Sequence, residues 1–105
     1  MHLYIKSDLS LEEVAVRISE RVLPGYESQL RDGLNLGGGE YFKFSRDDKQ
    51  ILLVCNDDEH LEVFMEAYQA FPYYCYARKG ADDLLDEMKV ALSQQGFECE
   101  LGDDA

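Results

Sequence analysis

Four adjacent side chains with metal-binding chemistry, Asp57, Asp58, Glu59 and His60, stand in the middle of this 105-residue chain. Carboxylates and an imidazole are ligands for divalent cations only when they converge on one point. Consecutive residues at a helix start point in different directions, and neither an HxxxH pair nor an EF-hand spacing is present. The four read instead as the opening turn of a helix, where negative charge meets the positive end of the helix dipole. No metal ligand is assigned, and the other histidine, His2, is expected at a mobile terminus.

Nucleophilic chemistry has no better footing. Cys55, Cys75 and Cys99 each fall inside a strand-like run. An odd, widely spaced set makes neither a zinc pattern nor a closed disulfide set, so the three read as small buried apolar side chains in a reducing compartment. Neighbouring acids raise a thiol pKa, the opposite of what a reactive cysteine needs. Ser7, Ser10, Ser28, Ser45 and Ser93 lack a nucleophile-elbow context. Gly37-Gly38-Gly39 is not followed by the Lys-Ser/Thr pair of a phosphate cradle, and the surrounding negative field repels anions. No catalytic residue, cofactor or enzymatic activity is expected.

A charged surface is what remains. Residues 1–49 hold nine acids against seven bases, while residues 50–105 hold thirteen against three, so nearly all of the formal charge of −12 sits in the second half. Such a field favours a positively charged partner. Glu59, Glu62 and Glu66 recur at three- and four-residue spacing, which places them on one ridge of a helix; Asp82, Asp83, Asp86 and Glu87 do the same on another. Tyr74 and Tyr76 alternate onto one face of a strand, which either packs beneath a helix or, with carboxylates nearby, supplies rigid contact area with polar tips. These nine residues form the expected partner-binding set.

The elements that must carry these groups follow from periodicity and caps. His2 to Lys6 reads as a strand. Ser10 and Glu13 form a capping box for a helix whose inner stripe is Leu11, Val14, Ala15, Ile18 and Val22, with Leu9 and Val14 placed as a hydrophobic staple and Pro24-Gly25 as the stop. Residues 25–40 read as a long loop with a short helical piece near Ser28 to Arg31. Glu40 to Ser45 and Ile51 to Cys55 predict a hairpin, the second strand central and covered on both faces because its apolar run is continuous. A second helix is expected from Asn56, its inner stripe Leu61, Phe64, Met65, Tyr68 and Phe71. The strand Tyr73 to Ala77, a helix from Asp82 to Gln95 with Leu85, Met88 and Leu92 inward, a Gly96 C-cap and a final strand through Phe97, Cys99 and Leu101 complete the order.

The expected fold is one compact α+β or α/β domain over residues 1–105, a mixed sheet of about five strands packed with two or three helices in the order β-α-β-β-α-β-α-β. Two strand–helix–strand links favour parallel neighbours. With 46% apolar residues the chain is long enough to bury roughly two-thirds of its extended surface. The first eight residues hold no apolar run of signal-peptide length, and no membrane-spanning run occurs, so a cytoplasmic protein is expected.

A short, acidic, catalytically empty domain of this kind resembles the bacterial immunity proteins that neutralise a cognate toxin, including those of contact-dependent inhibition systems. The resemblance rests on whole-chain character. It implies a stoichiometric inhibitor of a basic toxin, often a nuclease whose cleft is basic to hold phosphates, with no direct contact to nucleic acid or membrane. The second reading is a small regulatory or ligand-binding domain, with a pocket between helix and sheet and association through an open sheet edge.

Overall fold

The computed structural model describes residues 2–32, 40–55, 71–78 and 83–102. Strand β1 (His2–Lys6) leads to helix α1 (Leu11–Arg17), which continues into one π-helical turn (Ile18–Val22). Strands β2 (Glu27–Asp32), β3 (Glu40–Arg46), β4 (Lys49–Cys55) and β5 (Tyr73–Arg78) follow. Helix α2 (Asp83–Gln94) and strand β6 (Glu98–Gly102) end the described chain. The helix expected from Asn56 lies outside the described residues.

The six strands form one sheet in the order β2-β3-β4-β5-β1-β6, with every neighbouring pair antiparallel. The α+β class is as expected, with six strands where about five were expected, but the sheet is antiparallel throughout and not mixed. Strands β4 and β5, expected to be parallel neighbours, pair antiparallel, because Cys55 and Tyr73 meet at one end of the sheet and no crossover separates them; for β5 and β6 the reason lies in β1. The crossover through α2 does leave β5 and β6 pointing the same way, but β1 inserts between them and runs against both. A handedness and direction rule for strand–helix–strand links constrains the linked strands, not what fills the space between them.

The sixth strand is β2, where a loop and a short helical piece were expected. Glu27-Ser28-Gln29-Leu30-Arg31-Asp32 is poor in β-branched residues, yet it pairs with β3 over six positions from Glu27↔Ser45 to Asp32↔Glu40. Pairing to an existing strand overrides weak local propensity. Gly25, at φ +86°, supplies the left-handed residue that turns the chain into it.

Local signals elsewhere match the structure. Ser10 caps α1 in extended backbone, its Oγ accepting from the Glu13 amide at 3.2 Å while the Glu13 carboxylate accepts from the Ser10 amide at 3.4 Å. Val14, Ala15 and Ile18 are buried. Beyond them the widened turn changes the phase: the Leu23 amide donates to the Ile18 carbonyl at 2.7 Å, an i→i+5 bond. Leu23 precedes Pro24, which disfavours the α region there. Leu23 is therefore the buried residue, while Val22, expected inside, is half-buried. At the end of α2, Gly96 (φ +92°) donates to Ser93 and Phe97 to Leu92, the paired bonds of a Schellman motif. The β3–β4 hairpin closes through Asp47-Asp48, with Asp47 left-handed at φ 55°, a conformation that aspartate tolerates better than most residues.

Two cores sandwich the sheet. Leu3, Ile5, Phe44, Ile51, Leu53 and Cys75 point to the side where α1 and α2 pack with Val14, Ile18, Leu85, Met88 and Leu92. Tyr4, Leu52, Val54 and Tyr74 form a second buried cluster on the opposite face, with Tyr41, Phe71 and Tyr76 against it. Strand β4 contributes Ile51 and Leu53 to one and Leu52 and Val54 to the other, all at most 1% exposed, as its unbroken apolar run predicts. Among the described residues no helix is long and apolar enough to cross a membrane. Leu53→Ala is expected to cost about 2–5 kcal/mol and Ser10→Ala about 1 kcal/mol, read from urea unfolding; equal effects at the two positions would contradict the core and cap roles assigned here.

Candidate functional site

Strand alternation sets the chemistry of the second face of the sheet. Register places Tyr4 beside Tyr74 and His2 beside Tyr76, so four rings converge across β1 and β5. The His2 ring lies 5.1 Å from Tyr74, 5.5 Å from Tyr76 and 6.0 Å from Tyr4, and Tyr74 and Tyr76 stack at 6.1 Å with 24° between planes. Such offset and edge contacts each add a modest attraction beyond area burial. His2 is therefore a strand residue, 7% exposed, and not part of a mobile terminus.

Of the two tyrosines expected to anchor a partner, Tyr74 is buried at 3% exposed, and its ring is part of the sheet's second core. Tyr76 is half-buried at the margin of that cluster. The Arg78 guanidinium sits 5.8 Å over the Tyr76 ring and donates to its hydroxyl at 3.4 Å. Sequence reasoning identified the shared face of Tyr74 and Tyr76 but missed His2, whose place beside them is a matter of cross-strand register, and Arg78, which two-residue alternation along β5 could have put on the same face.

The acidic set divides. Asp83, Asp86 and Glu87 lie on the solvent side of α2, all exposed, opposite the buried stripe of Leu85, Met88 and Leu92. Glu59, Glu62, Glu66 and Asp82 lie outside the described residues. Two further acids join the group from β6: Cys99 and Leu101 pack toward the helices, so Glu98 and Glu100 project from the opposite face, and both are exposed. Helix α2 packs against β6, and β6 is an outer strand of the sheet. Residues 83–102 thus hold five acids against one base, Lys89, and these acids flank a single sheet edge from both sides. Lys6, reaching from β1, lies 3.6 Å from Glu98 with both side chains largely solvated, a pair of little energetic weight. The opposite edge differs: residues 27–55 of β2, β3 and β4 hold five acids against four bases. Charge is graded across the sheet, from near balance at β2 to strongly negative at β6.

Burial favours the neutral form of Cys75 and Cys99. Burial pushes Cys75 far above the ordinary thiol range, with Cys99 adding to the rise. Burial also lifts the Cys99 thiol to about 11, Glu98 adding to the rise and Lys89 opposing it. Tyr73 is raised by burial, then by Cys55 and Glu13, and its hydroxyl donates to the Leu9 carbonyl at 2.5 Å, tying β5 to the entry of α1. Among the described residues no group of three or more His, Cys, Asp or Glu converges as metal ligands. An open cleft of about 420 Å³ lies where the β1–α1 link meets the α2–β6 turn, with Lys6, Asp8, Arg17 and Glu98 at its rim and Leu9 and Phe97 in its wall.

No family model, no curated protein and no solved structure matches the chain.

Raised folded-state pKa values have a definite linkage sign: Cys99 binds its proton more tightly folded than unfolded, so its contribution is complete below the unfolded thiol pKa of about 8.5 and is lost as pH climbs through 11. Cys75 and Tyr73 act in the same direction. Urea midpoints are expected to fall between pH 8.5 and 11, and at pH 8 iodoacetamide should label Cys99 about a hundredfold more slowly than an unfolded thiol. Rapid labelling of Cys99 or Cys75 in the folded protein would contradict this account.

Proposed function

We propose that this protein is a stoichiometric inhibitor, an immunity protein that binds and neutralises a basic cognate toxin in the cytoplasm through the acidic edge formed by α2 and β6. The observation that carries the reading is the concentration of Asp83, Asp86, Glu87, Glu98 and Glu100 around one edge of a sheet whose other edge is nearly balanced. Acids at the first turn of α2 are accounted for by the helix dipole, which explains Asp83 and Asp86 locally. Glu87, Glu98 and Glu100 need another explanation, and a cationic partner supplies one.

The inhibitor acts by surface complementarity. A nuclease holds its substrate through lysines and arginines that face phosphates, and exposed carboxylates on α2 and β6 offer the same sign of charge. Long-range attraction between such surfaces speeds encounter, and the short-range fit sets how long the complex lasts. Tyr76, half-buried and held by Arg78, lies two strands in from this edge and is the one tyrosine of the expected pair with exposed area to offer. Glu59, Glu62, Glu66 and Asp82 extend the contact set proposed from sequence.

A small-molecule role is the second reading, and the cleft beside Lys6, Arg17 and Phe97 favours it. A metabolite that raises the melting temperature of the isolated protein would support that role.

Purification with the product of the adjacent gene is expected to yield a one-to-one complex. Replacing Asp83, Asp86 and Glu87 together by lysine should lower the association rate about 10–10³-fold at low salt, the difference shrinking as salt rises. Association indifferent to both salt and charge reversal would defeat the electrostatic reading.

A further inference from the structure

We infer that two copies of this chain join through strand β2 in antiparallel register about a two-fold axis at Gln29, extending the six-stranded sheet into a continuous twelve-stranded one. Among the described residues β2 pairs only with β3, so it presents an outer row of backbone donors and acceptors to solvent. Glu27, Ser28, Leu30 and Arg31 are exposed, and Leu30 is 51% exposed although it lies on the helix-facing side across from Phe42.

The strand is complementary to itself. Side chains of Glu27, Gln29 and Arg31 stand in one row on the face away from the helices. They are already linked: the Gln29 amide donates to Glu27 at 3.0 Å and accepts from Arg31 at 2.6 and 3.2 Å. In an antiparallel pair, directly opposed residues share a face. A two-fold axis at Gln29 sets Gln29 against its own copy and Glu27 against Arg31, twice by symmetry. An axis through Ser28 or Leu30 instead leaves Arg31 or Glu27 facing beyond the strand ends, so the Gln29 register is the one that matches the charges.

The other face fits as well. The same register sets Leu30 of the second copy opposite Ser28, and Ser28 lines a groove of about 170 Å³ whose other walls include Ala15, Val16, Ser19 and Phe42. Val16 is itself 52% exposed. Each Leu30 enters the other copy's groove, removing Leu30, Val16 and Phe42 from water on both sides of the axis.

The second outer strand offers no such match. Self-pairing of β6 about Glu100 opposes Glu100 to its copy, and about Cys99 opposes Glu98 to Glu100; each puts like charges together within the most acidic part of the described chain. Self-association belongs at β2 and leaves the acidic edge open, so it stands independently of toxin binding.

Sedimentation velocity on the full chain at high micromolar concentration is expected to show a dimer. Glu27→Arg or Arg31→Glu, each turning two attractions into two repulsions, should weaken the dimer about ten- to a hundredfold. Mixing the two single variants should give a heterodimer in native mass spectrometry, and the double swap Glu27→Arg/Arg31→Glu should restore the homodimer, which also shows that both substitutions are compatible with folding. A monomeric wild type, single variants as tightly dimeric as wild type, or a mixture that forms no heterodimer would each overturn the inference.

Discussion

Strand β4 is buried on both faces, and the rest of the molecule is arranged around that constraint. Four successive apolar residues, Ile51 to Val54, cannot face water on either side of a sheet without large cost. One side is met by α1, the π turn and α2; the other carries the aromatic cluster of Tyr4 and Tyr74 with Tyr41, Phe71 and Tyr76. Because β4 must be interior, the strands on its flanks are drawn into place, β3 by a two-residue hairpin and β5 by a longer link, and β1 then closes on β5. Among the described strands only β2 and β6 keep an outer backbone edge, and charged side chains gather there and on the solvent side of α2.

What was legible in the sequence was local. The capping box at Ser10 and Glu13, the stripe of Leu85, Met88 and Leu92, the Gly96 cap and the central placement of Ile51 to Val54 are each written in residues a few positions apart, and the structure agrees with all of them. What was not legible was long-range. Nothing near His2 announces that its ring will meet Tyr74 and Tyr76, and nothing in β5 or α2 announces that β1 will occupy the gap between β5 and β6. Strand β2 is an intermediate case. Its Glu27, Gln29 and Arg31 alternate with Ser28 and Leu30, a period of two that is present but masked by polar composition, since an outer strand has no apolar face of the usual strength.

The candidate surface shows the same division. Helical spacing identified Asp83, Asp86 and Glu87 as one exposed group, whereas the addition of Glu98 and Glu100 depends on β6 being an outer strand packed by α2. Tyr74 illustrates the opposite error: alternation put it beside Tyr76, but the degree to which each is covered depends on what lies over the sheet, and one of the pair is buried while the other reaches the margin.

The insertion of β1 between β5 and β6 also orders events in time. Strand β1 finds its partners at residues 73–76 and 98–102, so half of the sheet cannot close while the ribosome is still adding the residues between. The β2–β3–β4 meander, whose contacts are between near neighbours, is free to assemble early and to wait. Until β5 emerges, Leu3 and Ile5 have no neighbouring strand to join, and their apolar side chains stay open to chaperones for as long as residues 7–72 take to be made.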